Sequence, residues 1–435
     1  MIQRYDPVTP MTSTRPFGPR YAFVVVGVVF VALLVSAGLR SAPSVMMLPL
    51  EDAFGWRRDT VSFAAAVGIF LYGLAGPFAA SMMERFGLRR VLVGAILLMS
   101  ASTASSLFMS QPWHLVATWG VMSGVGTGAV ATVLGATVVN RWFKTNRGLM
   151  MGLMSASGAT GMLVFLPFFA MLAESGGWRP VVITVCIATL ALVPLVCLLV
   201  PERPASIGLR RYGATEDEPA AAPVTGNFVA NTLRTLRDAA KTRVFWFLFA
   251  TFFICGFTTN GLVGTHLIAF CGDMGIPAVQ AAGFLAVMGI FDLIGTTASG
   301  WLTDRFDPRK LLGIYYAIRG LSLIYLPYSG FSVGALTVFA VLYGLDWIAT
   351  VPPTLRLANE SFGDRRGPLV FGWIVAGHQV GAASAAYFGG FMRELQGSYA
   401  SAFAIAGLTA ILAAALALLI EPSRSAGGEG RLQPA

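Results

Sequence analysis

Six ionisable side chains lie within otherwise apolar stretches of this chain, where they could bind an ion or an acid. They are two arginines, two aspartates and two histidines: Arg40, Arg319, Asp292, Asp346, His266 and His378. A charge in such a stretch is costly unless it is paired or used. A guanidinium can hold a carboxylate through two parallel hydrogen bonds, whereas Asp and His side chains can exchange a proton. The residue types therefore indicate anion binding together with proton transfer.

The elements that must position these residues are long apolar helices. Of the 435 residues, 56% are hydrophobic and 12% charged, a composition too apolar for a soluble protein. Apolar runs long enough to cross about 30 Å of hydrocarbon as helix recur twelve times. We predict an all-α polytopic membrane protein with twelve spans near residues 21–47, 60–83, 91–110, 114–139, 148–173, 181–200, 244–271, 278–302, 311–328, 331–355, 368–392 and 401–420.

The placement of basic residues predicts the orientation. With the N-terminus inside, only four of the 30 Lys and Arg fall in loops on the opposite face: Arg57, Arg58, Arg179 and Arg393. The positive-inside rule then places both termini in the cytoplasm. The net charge of +9 is thereby explained by topology, and nucleic-acid binding is excluded. Lysine occurs only three times, which favours a GC-rich bacterial genome and hence the bacterial cytoplasmic membrane.

Nothing in the chain predicts an enzyme, a metal site or a cofactor. The four cysteines lack CxxC spacing and fall in or at the end of spans, so they read as packing residues. The sequence has no nucleotide-binding loop and no HExxH motif.

An internal repeat divides the chain into two halves. Residues 80–90 align with residues 300–310 at an offset of about 220, and Gly124 falls on Gly344 at the same shift. We predict a six-span half at 1–200, a cytoplasmic linker at 201–243, a second six-span half at 244–420 and a cytoplasmic tail at 421–435. The linker contains an acidic cluster at 216–218 and a short interfacial helix at 231–243.

The repeated loop, G/A-xxx-[DE]-R-x-[GD]-x-R-[RK], between spans 2 and 3 and between spans 8 and 9 resembles that of the major facilitator superfamily. Within it, the sequences LRSAP at 39–43 and FGWRR at 54–58 are similar to those of the bacterial monocarboxylate-porter and oxalate/formate-antiporter group. The resemblance implies two pseudo-symmetric six-helix halves. It also implies a substrate site near the membrane midplane, lined by spans 1, 4, 7 and 10 and flanked by spans 2, 5, 8 and 11.

On that basis we assign expected roles to individual residues. The substrate-binding candidates are Arg40, Tyr72, Asn260, His266, His378 and Gln379. The proton-coupling candidates are Asp292 and Asp346. The loop residues expected to bias the conformation through charge pairs are Glu84, Arg85, Arg89, Asp304, Arg305 and Arg309. The 220 shift lays Arg40 on Asn260 and Tyr72 on Asp292, so these positions break the repeat symmetry, as a directional site would.

Each candidate also has a structural alternative. Arg40 could snorkel to the headgroups, and Asp292 could form a structural ion pair with Arg319. For Arg319, on a peripheral span, a structural pairing role is favoured. Asp346 could serve coupling or simple pairing, and each histidine could be a packing residue. Gly120, Gly124 and Gly128, at spacing four, predict close helix packing.

A charge count favours one mechanism. If the four intramembrane Arg and Asp side chains are all ionised they cancel, so an entering carboxylate requires a proton for neutrality. We therefore predict proton-coupled transport of a small organic anion, a monocarboxylate, by a monomer in the lipid bilayer. Two alternatives remain open: a proton-driven exporter of lipophilic or cationic compounds, and a non-transporting membrane sensor whose output is the linker.

Overall fold

Twelve long helices, α1–α12, make up the fold. The computed structural model describes residue 18 and residues 20–214 and 228–421. Within those residues the long helices are α1 (Tyr21–Phe54), α2 (Arg58–Phe86), α3 (Leu88–Ser106), α4 (Pro112–Trp142), α5 (Arg147–Gly176), α6 (Trp178–Leu199), α7 (Arg243–Asp273), α8 (Ala278–Thr303), α9 (Pro308–Tyr325), α10 (Val333–Gly363), α11 (Leu369–Gln396) and α12 (Ala400–Leu418). Each coincides with one predicted span, so the predicted all-α fold is confirmed.

Ten of these helices are long and apolar enough to cross a membrane. The exceptions among the described residues are α5 and α9. Helix α5 is 30 residues long and is apolar in two described stretches, Leu149–Gly158 and Val164–Gly176. Helix α9 has only 18 residues, three of them basic, and it is the basic residues that lower its hydropathy.

Glycines allow neighbouring helices in each half to touch at the backbone. A Cβ atom on Gly124 of α4 would come within 2.7 Å of the carbonyl oxygen of Gly68 on α2, and one on Gly128 within 2.6 Å of the oxygen of Tyr72. In the second half, a Cβ on Gly344 of α10 would lie 2.8 Å from the oxygen of Met288 on α8. The predicted close packing of the glycine stripe is confirmed, and it holds α2 against α4 at the level of Tyr72.

Three helices are irregular near the middle of the bundle. Helix α4 contains a π-helical segment at Val116–Met122, and α7 contains one at Phe257–Val263. Helix α10 is interrupted by a turn at 347–350, and it passes into α11 through a kink at Gly363, whose φ of 76° suits glycine. Backbone that departs from the α-helix at membrane depth is tolerated where it is buried in protein or lines a cavity.

The linker between the halves is only partly described. A short helix spans Phe228–Ala239, overlapping the interfacial helix predicted at 231–243. The acidic cluster predicted at 216–218 and nearly all of the tail at 421–435 lie outside the described residues. The two boundaries of the linker stay predictions.

Candidate functional site

A cavity of about 520 Å³ lies in the centre of the bundle. Its walls come from both halves, with lining residues on α1, α2, α4 and α5 from the first and on α7, α8, α10 and α11 from the second. These are the eight spans expected to line or flank the site. A central cavity between two helical halves is where membrane carriers hold their substrates.

Arg40 is the cation of this cavity. Its side chain is exposed to the cavity, and the guanidinium carbon lies 4.5 Å from the centre of the Tyr72 ring. Such stacking positions the planar guanidinium without neutralising it. Within the described residues, no carboxylate comes within the 4.0 Å that would make an ion pair with Arg40. Arg40 is therefore available to bind an anion.

Asp292 lies on the opposite side of the cavity, on α8, and is 5% exposed. Its Oδ1 accepts hydrogen bonds from the Thr296 hydroxyl (2.9 Å) and from the backbone N–H of Ile348 in the α10 turn (3.0 Å). The carboxylate thus joins α8 to the interruption in α10. The alternative in which Asp292 pairs with Arg319 is not observed in the described part of the chain.

Arg319 instead forms an ion pair with Asp346. The side chain of Arg319 is fully buried, and its Nε donates to Asp346 Oδ2 over 2.6 Å. Further donations reach the carbonyl oxygen of Asp346 (2.6 Å) and the sulfur of Cys255 (2.9 Å). Asp346 does not line the cavity and pairs with Arg319, one of the two roles considered for it, and its proton-coupling role stays a prediction. This pair connects α9 to the α10 turn outside the cavity lining.

The other substrate-binding candidates divide into two groups. Asn260 and Gln379 line the cavity, one on the π-helical segment of α7 and the other on α11. His266 does not line it: its two ring nitrogens contact the Tyr399 hydroxyl (3.1 Å) and the Ala386 carbonyl oxygen (2.7 Å). His378 also lies outside the lining and packs against Phe252, with ring centres 5.1 Å apart. The structure thus places both histidines outside the cavity lining, and their substrate-binding role stays a prediction.

Both tryptophans of the lining were missed in the sequence, together with its smaller polar and apolar residues. Trp119 lies in the π-helical segment of α4, and Trp347 begins the turn in α10. In the sequence both stand within apolar spans, where Trp is an ordinary packing residue. The only signal was the pair of prolines, Pro352 and Pro353, which marks the interruption next to Trp347.

The two halves are joined at the end that carries the α1–α2 loop, the predicted outer face. Arg58, 5% exposed, contacts Glu51 of its own half. Its backbone N–H donates to Glu394 Oε1 (2.7 Å) and its Nη1 to the Tyr399 hydroxyl (3.0 Å), both in the second half. Its Nη2 lies 3.7 Å from Asp273 Oδ1. We call these five residues the outer network.

At the other end, contacts run within each half. Glu202, after α6, accepts hydrogen bonds from the N–H groups of Leu88 (2.6 Å) and Arg89 (3.1 Å) and from Arg141 Nη1 (2.6 Å). Partial burial raises the pKa of Glu202, but these bonds to the charged form outweigh burial and leave its pKa below the ordinary value. The Arg89 side chain also donates to the Cys197 carbonyl oxygen.

The second half repeats this arrangement in part. Asp307 accepts from the N–H of Arg309 (2.9 Å) and pairs with its guanidinium (2.7 Å), which lowers the pKa of Asp307. Arg309 also donates to the Ile420 carbonyl oxygen (3.4 Å). Arg305 stacks on Trp301 at 4.0 Å, and Asp304 is exposed.

The expected charge pairs of the loop motif are therefore only partly present. Asp304 and Arg305 form no ion pair within the described residues, and Arg85 stacks on Phe86 at 5.4 Å. The side chain of Glu84 lies outside the described part of the structure. Glu202, which does not belong to the loop motif, is the acid that accepts the backbone N–H groups of Leu88 and Arg89 at the start of α3. Arg141 and Arg356 make matching contacts in the two halves. Arg141 donates to the Met83 carbonyl oxygen near the end of α2, and Arg356 donates to the Thr303 carbonyl oxygen at the end of α8.

Within the described residues, ten helices long and apolar enough to cross a membrane contribute to a bundle of two helical halves around a central cavity. Arg40 lies on one wall of that cavity without an ion-pair partner there, and this arrangement defines a membrane carrier. The sequence profile described as Major Facilitator Superfamily matches residues 28–367 and 285–433 of the chain. The chain belongs to this superfamily, whose members are transporters rather than enzymes.

The relatives include transporters of acids. The chain is 26% identical over 404 residues to "Uncharacterized MFS-type transporter YcxA" of Bacillus subtilis (strain 168), covering 91% of this chain and 95% of the relative. It is 28% identical over 410 residues to "Monocarboxylate transporter 13" of Rattus norvegicus (94% and 88% covered). It is 27% identical over 428 residues to "Gallate transporter" of Pseudomonas putida (90% and 87% covered).

Among solved structures, the fold is similar to that of a bacterial homologue of the human lysosomal transporter Spinster in an inward-facing, unoccupied conformation. The TM-score is 0.74 at 16% sequence identity, with 93% of this chain and 98% of that chain covered. The similarity shows a shared fold.

Proposed function

We propose that this protein carries a small organic anion, a monocarboxylate, across the membrane together with a proton. The observation that carries the proposal is Arg40, a cation that faces a cavity between the halves with no carboxylate paired to it in the described residues. Two relatives have names that specify acids, a monocarboxylate and gallate. A planar carboxylate matches the fork of a guanidinium and is held by two charge-assisted hydrogen bonds.

The proton requirement follows from the charges that face the cavity. Arg319 and Asp346 neutralise each other outside it, so among the lining residues that the structure describes Arg40 is the cation and Asp292 is the acid. A carboxylate bound to Arg40 leaves the charge of Asp292 uncompensated in a medium of low dielectric constant. Protonation of Asp292 restores neutrality, so proton and substrate each bind better in the presence of the other.

Asp292 also offers a route from protonation to movement. Its Oδ1 accepts the N–H of Ile348 in the α10 turn, and a neutral carboxyl group is a weaker acceptor than a carboxylate. Protonation therefore loosens the link between α8 and α10 while the Arg319 pair holds the turn from behind. In this proposal the two helices shift against each other as the halves rock.

The alternating movement would begin from the state in which the outer network joins the halves. In that state the hydrogen bonds from Arg58 to Glu394 and Tyr399 close one end. At the end where Glu202 and Asp307 lie, the hydrogen bonds described for these two acids run within each half. With the outer network on the extracellular side, this state has its outer end closed.

Uptake into proteoliposomes tests the proposal. With the membrane potential clamped, an inward proton gradient is expected to accelerate uptake of a radiolabelled panel of small monocarboxylates. Arg40→Gln is expected to abolish this uptake, because an amide cannot neutralise a carboxylate. The matched control is Arg179→Gln, which removes an exposed arginine outside the cavity and is expected to transport normally. Carboxylate uptake that survives Arg40→Gln would refute the proposal.

The two alternatives have less support. An exporter of cations requires free acids in the cavity, but Asp346 is paired with Arg319, which leaves Asp292 as the acid among the described lining residues. A sensor requires binding without transport, and measurable flux of any solute in the same proteoliposomes would exclude it.

A further inference from the structure

The cavity is larger than a three-carbon acid requires. Its volume of about 520 Å³ equals the liquid volume of roughly 17 water molecules at about 30 Å³ each. Cavities of roughly 300–1,000 Å³ usually enclose ligands of ring size or larger. A substrate that only satisfied Arg40 would leave most of this space filled with water.

Aromatic side chains from both halves face that space. Tyr72 lies under the Arg40 guanidinium, Trp119 comes from α4 and Trp347 from α10. The two tryptophans are 3% and 7% exposed, so their rings are held rigidly by the surrounding helices. Aromatic rings pack in offset-stacked or edge-to-face arrangements, which favours an aromatic ligand over an aliphatic one.

Three of the lining residues, Trp119, Asn260 and Trp347, lie on the irregular segments of the bundle. Trp119 lies within the π-helical segment at Val116–Met122, and Asn260 lies within that at Phe257–Val263. Trp347 lies in the turn that interrupts α10. Each π-helical turn rotates the residues around it relative to a regular helix, and such segments occur mainly at functional sites. Three departures from regular helix at one cavity indicate that these side chains are positioned for a ligand.

Three polar side chains of the lining have no hydrogen-bond partner among the described residues. The Trp119 Nε1–H is buried and has no hydrogen-bond acceptor within the described part of the chain. The side-chain amides of Asn260 and Gln379 likewise form no hydrogen bond there, although Gln379 is only 9% exposed. Buried polar groups are normally satisfied, so a ligand with its own donors and acceptors fits better than a plain hydrocarbon ring.

We infer that the substrate is a hydroxylated aromatic monocarboxylate. Its carboxylate binds Arg40, its ring packs against the walls formed by Trp119 and Trp347, and its ring hydroxyl bonds to Trp119 Nε1, Asn260 or Gln379. This inference rests on the proposed function and narrows its substrate class.

A panel of radiolabelled acids tests the inference in proteoliposomes that contain the full chain. The probes are 4-hydroxybenzoate, 3-hydroxybenzoate, benzoate and lactate. We expect at least one hydroxybenzoate to have a KM about tenfold or more below that of lactate. Trp347→Leu keeps an apolar wall but removes the ring, and it is expected to raise the KM for that hydroxybenzoate about tenfold. The same variant is expected to raise the KM for lactate by a smaller factor, because lactate has no ring to pack against Trp347.

Trp119→Phe tests the hydroxyl contact because it removes the N–H and keeps an aromatic ring. The expected result is that the KM for the preferred hydroxybenzoate rises by about three- to tenfold more than the KM for benzoate. The matched control is Trp113→Phe, which changes a tryptophan that is 65% exposed and outside the cavity. Equal effects of Trp119→Phe on both acids would overturn the hydroxyl assignment.

The outcomes separate this inference from the proposal beneath it. If lactate has a lower KM than every aromatic acid, the aromatic class is refuted while Arg40-dependent carboxylate transport stands. If no acid of the panel is taken up and a wider set of aliphatic acids also fails, both the inference and the proposed function are refuted.

Discussion

Replacing Arg319 by Met tests whether the buried ion pair supports the interruption in α10. The side chain of Arg319 is fully buried and donates over 2.6 Å both to the carboxylate and to the carbonyl oxygen of Asp346. Met has a similar length and no charge, so the variant leaves the buried carboxylate without its counterion. Removing one partner of a buried ion pair typically costs about 3–5 kcal/mol of unfolding free energy.

The size of the thermal effect follows from that cost. For a unit of 150–250 residues, the size of one half of this chain, each kcal/mol shifts Tm by about 2–4 °C. Arg319→Met is therefore expected to lower Tm by about 6–20 °C. Intrinsic tryptophan fluorescence of the purified protein, recorded while the detergent solution is heated, measures this shift. Transport should fall as well, because the turn that contains Trp347 loses its support.

A double variant separates the ion pair from general damage. Arg319→Met combined with Asp346→Leu removes both charges, and it is expected to recover most of the lost Tm because no unpaired charge remains buried. Arg179→Met, an exposed site, should change Tm by only about 1 °C. The reasoning is refuted if Arg319→Met melts within about 2 °C of the wild type, or if the double variant is less stable than the single one.

Three further predictions concern other parts of the molecule. Arg58→Gln keeps the backbone N–H bond to Glu394 but removes the guanidinium contacts with Tyr399 and Asp273, so electron–electron distances between spin labels on the outer loops of the two halves should increase, and unchanged distances would contradict the closed outer end. Glu202→Gln should lower Tm at neutral pH by an amount equivalent to about 1 kcal/mol, because the side chain is partly exposed. Folding lowers the pKa of Glu202, so the contribution of its carboxylate to stability is complete above the ordinary carboxylate pKa and is lost as pH falls through the lower pKa of the folded state. The Tm difference between wild type and Glu202→Gln should therefore vanish in acid. Gly124→Leu places a side chain where a Cβ alone would lie 2.7 Å from the Gly68 carbonyl oxygen, and it should prevent α2 and α4 from packing; a variant that folds and transports normally would disprove this contact.

Much of the architecture was predictable because hydropathy and repetition report it directly. The twelve apolar runs coincide with α1–α12, and the glycines at spacing four lie at backbone contacts. Arg40, Tyr72, Asn260, Asp292 and Gln379 all line the cavity, as expected from the span each occupies and its depth. A polar residue in an apolar span has few environments open to it, so its position along the helix is informative.

The partners of these residues were less predictable, because they depend on helix rotation. Arg319 could reach an acid on α8 or on α10, and only the rotation of α9 selects Asp346. The π-helical segment of α7 changes the facing of the residues that follow it, and His266 consequently contacts Tyr399 instead of the cavity. Trp119 stands on the corresponding irregular segment of α4. Hydrophobic periodicity assumes a regular helix and cannot indicate such shifts.

The most direct test of proton coupling compares wild type with Asp292→Asn. The amide oxygen of Asn can still accept from Thr296 and from the N–H of Ile348, so the fold is preserved while the site can no longer bind a proton. The control is Asp52→Asn, which changes an exposed carboxylate outside the cavity. We predict that an inward proton gradient accelerates carboxylate uptake by wild type and by Asp52→Asn but not by Asp292→Asn, which still exchanges substrate for substrate. Full acceleration in Asp292→Asn would contradict the account.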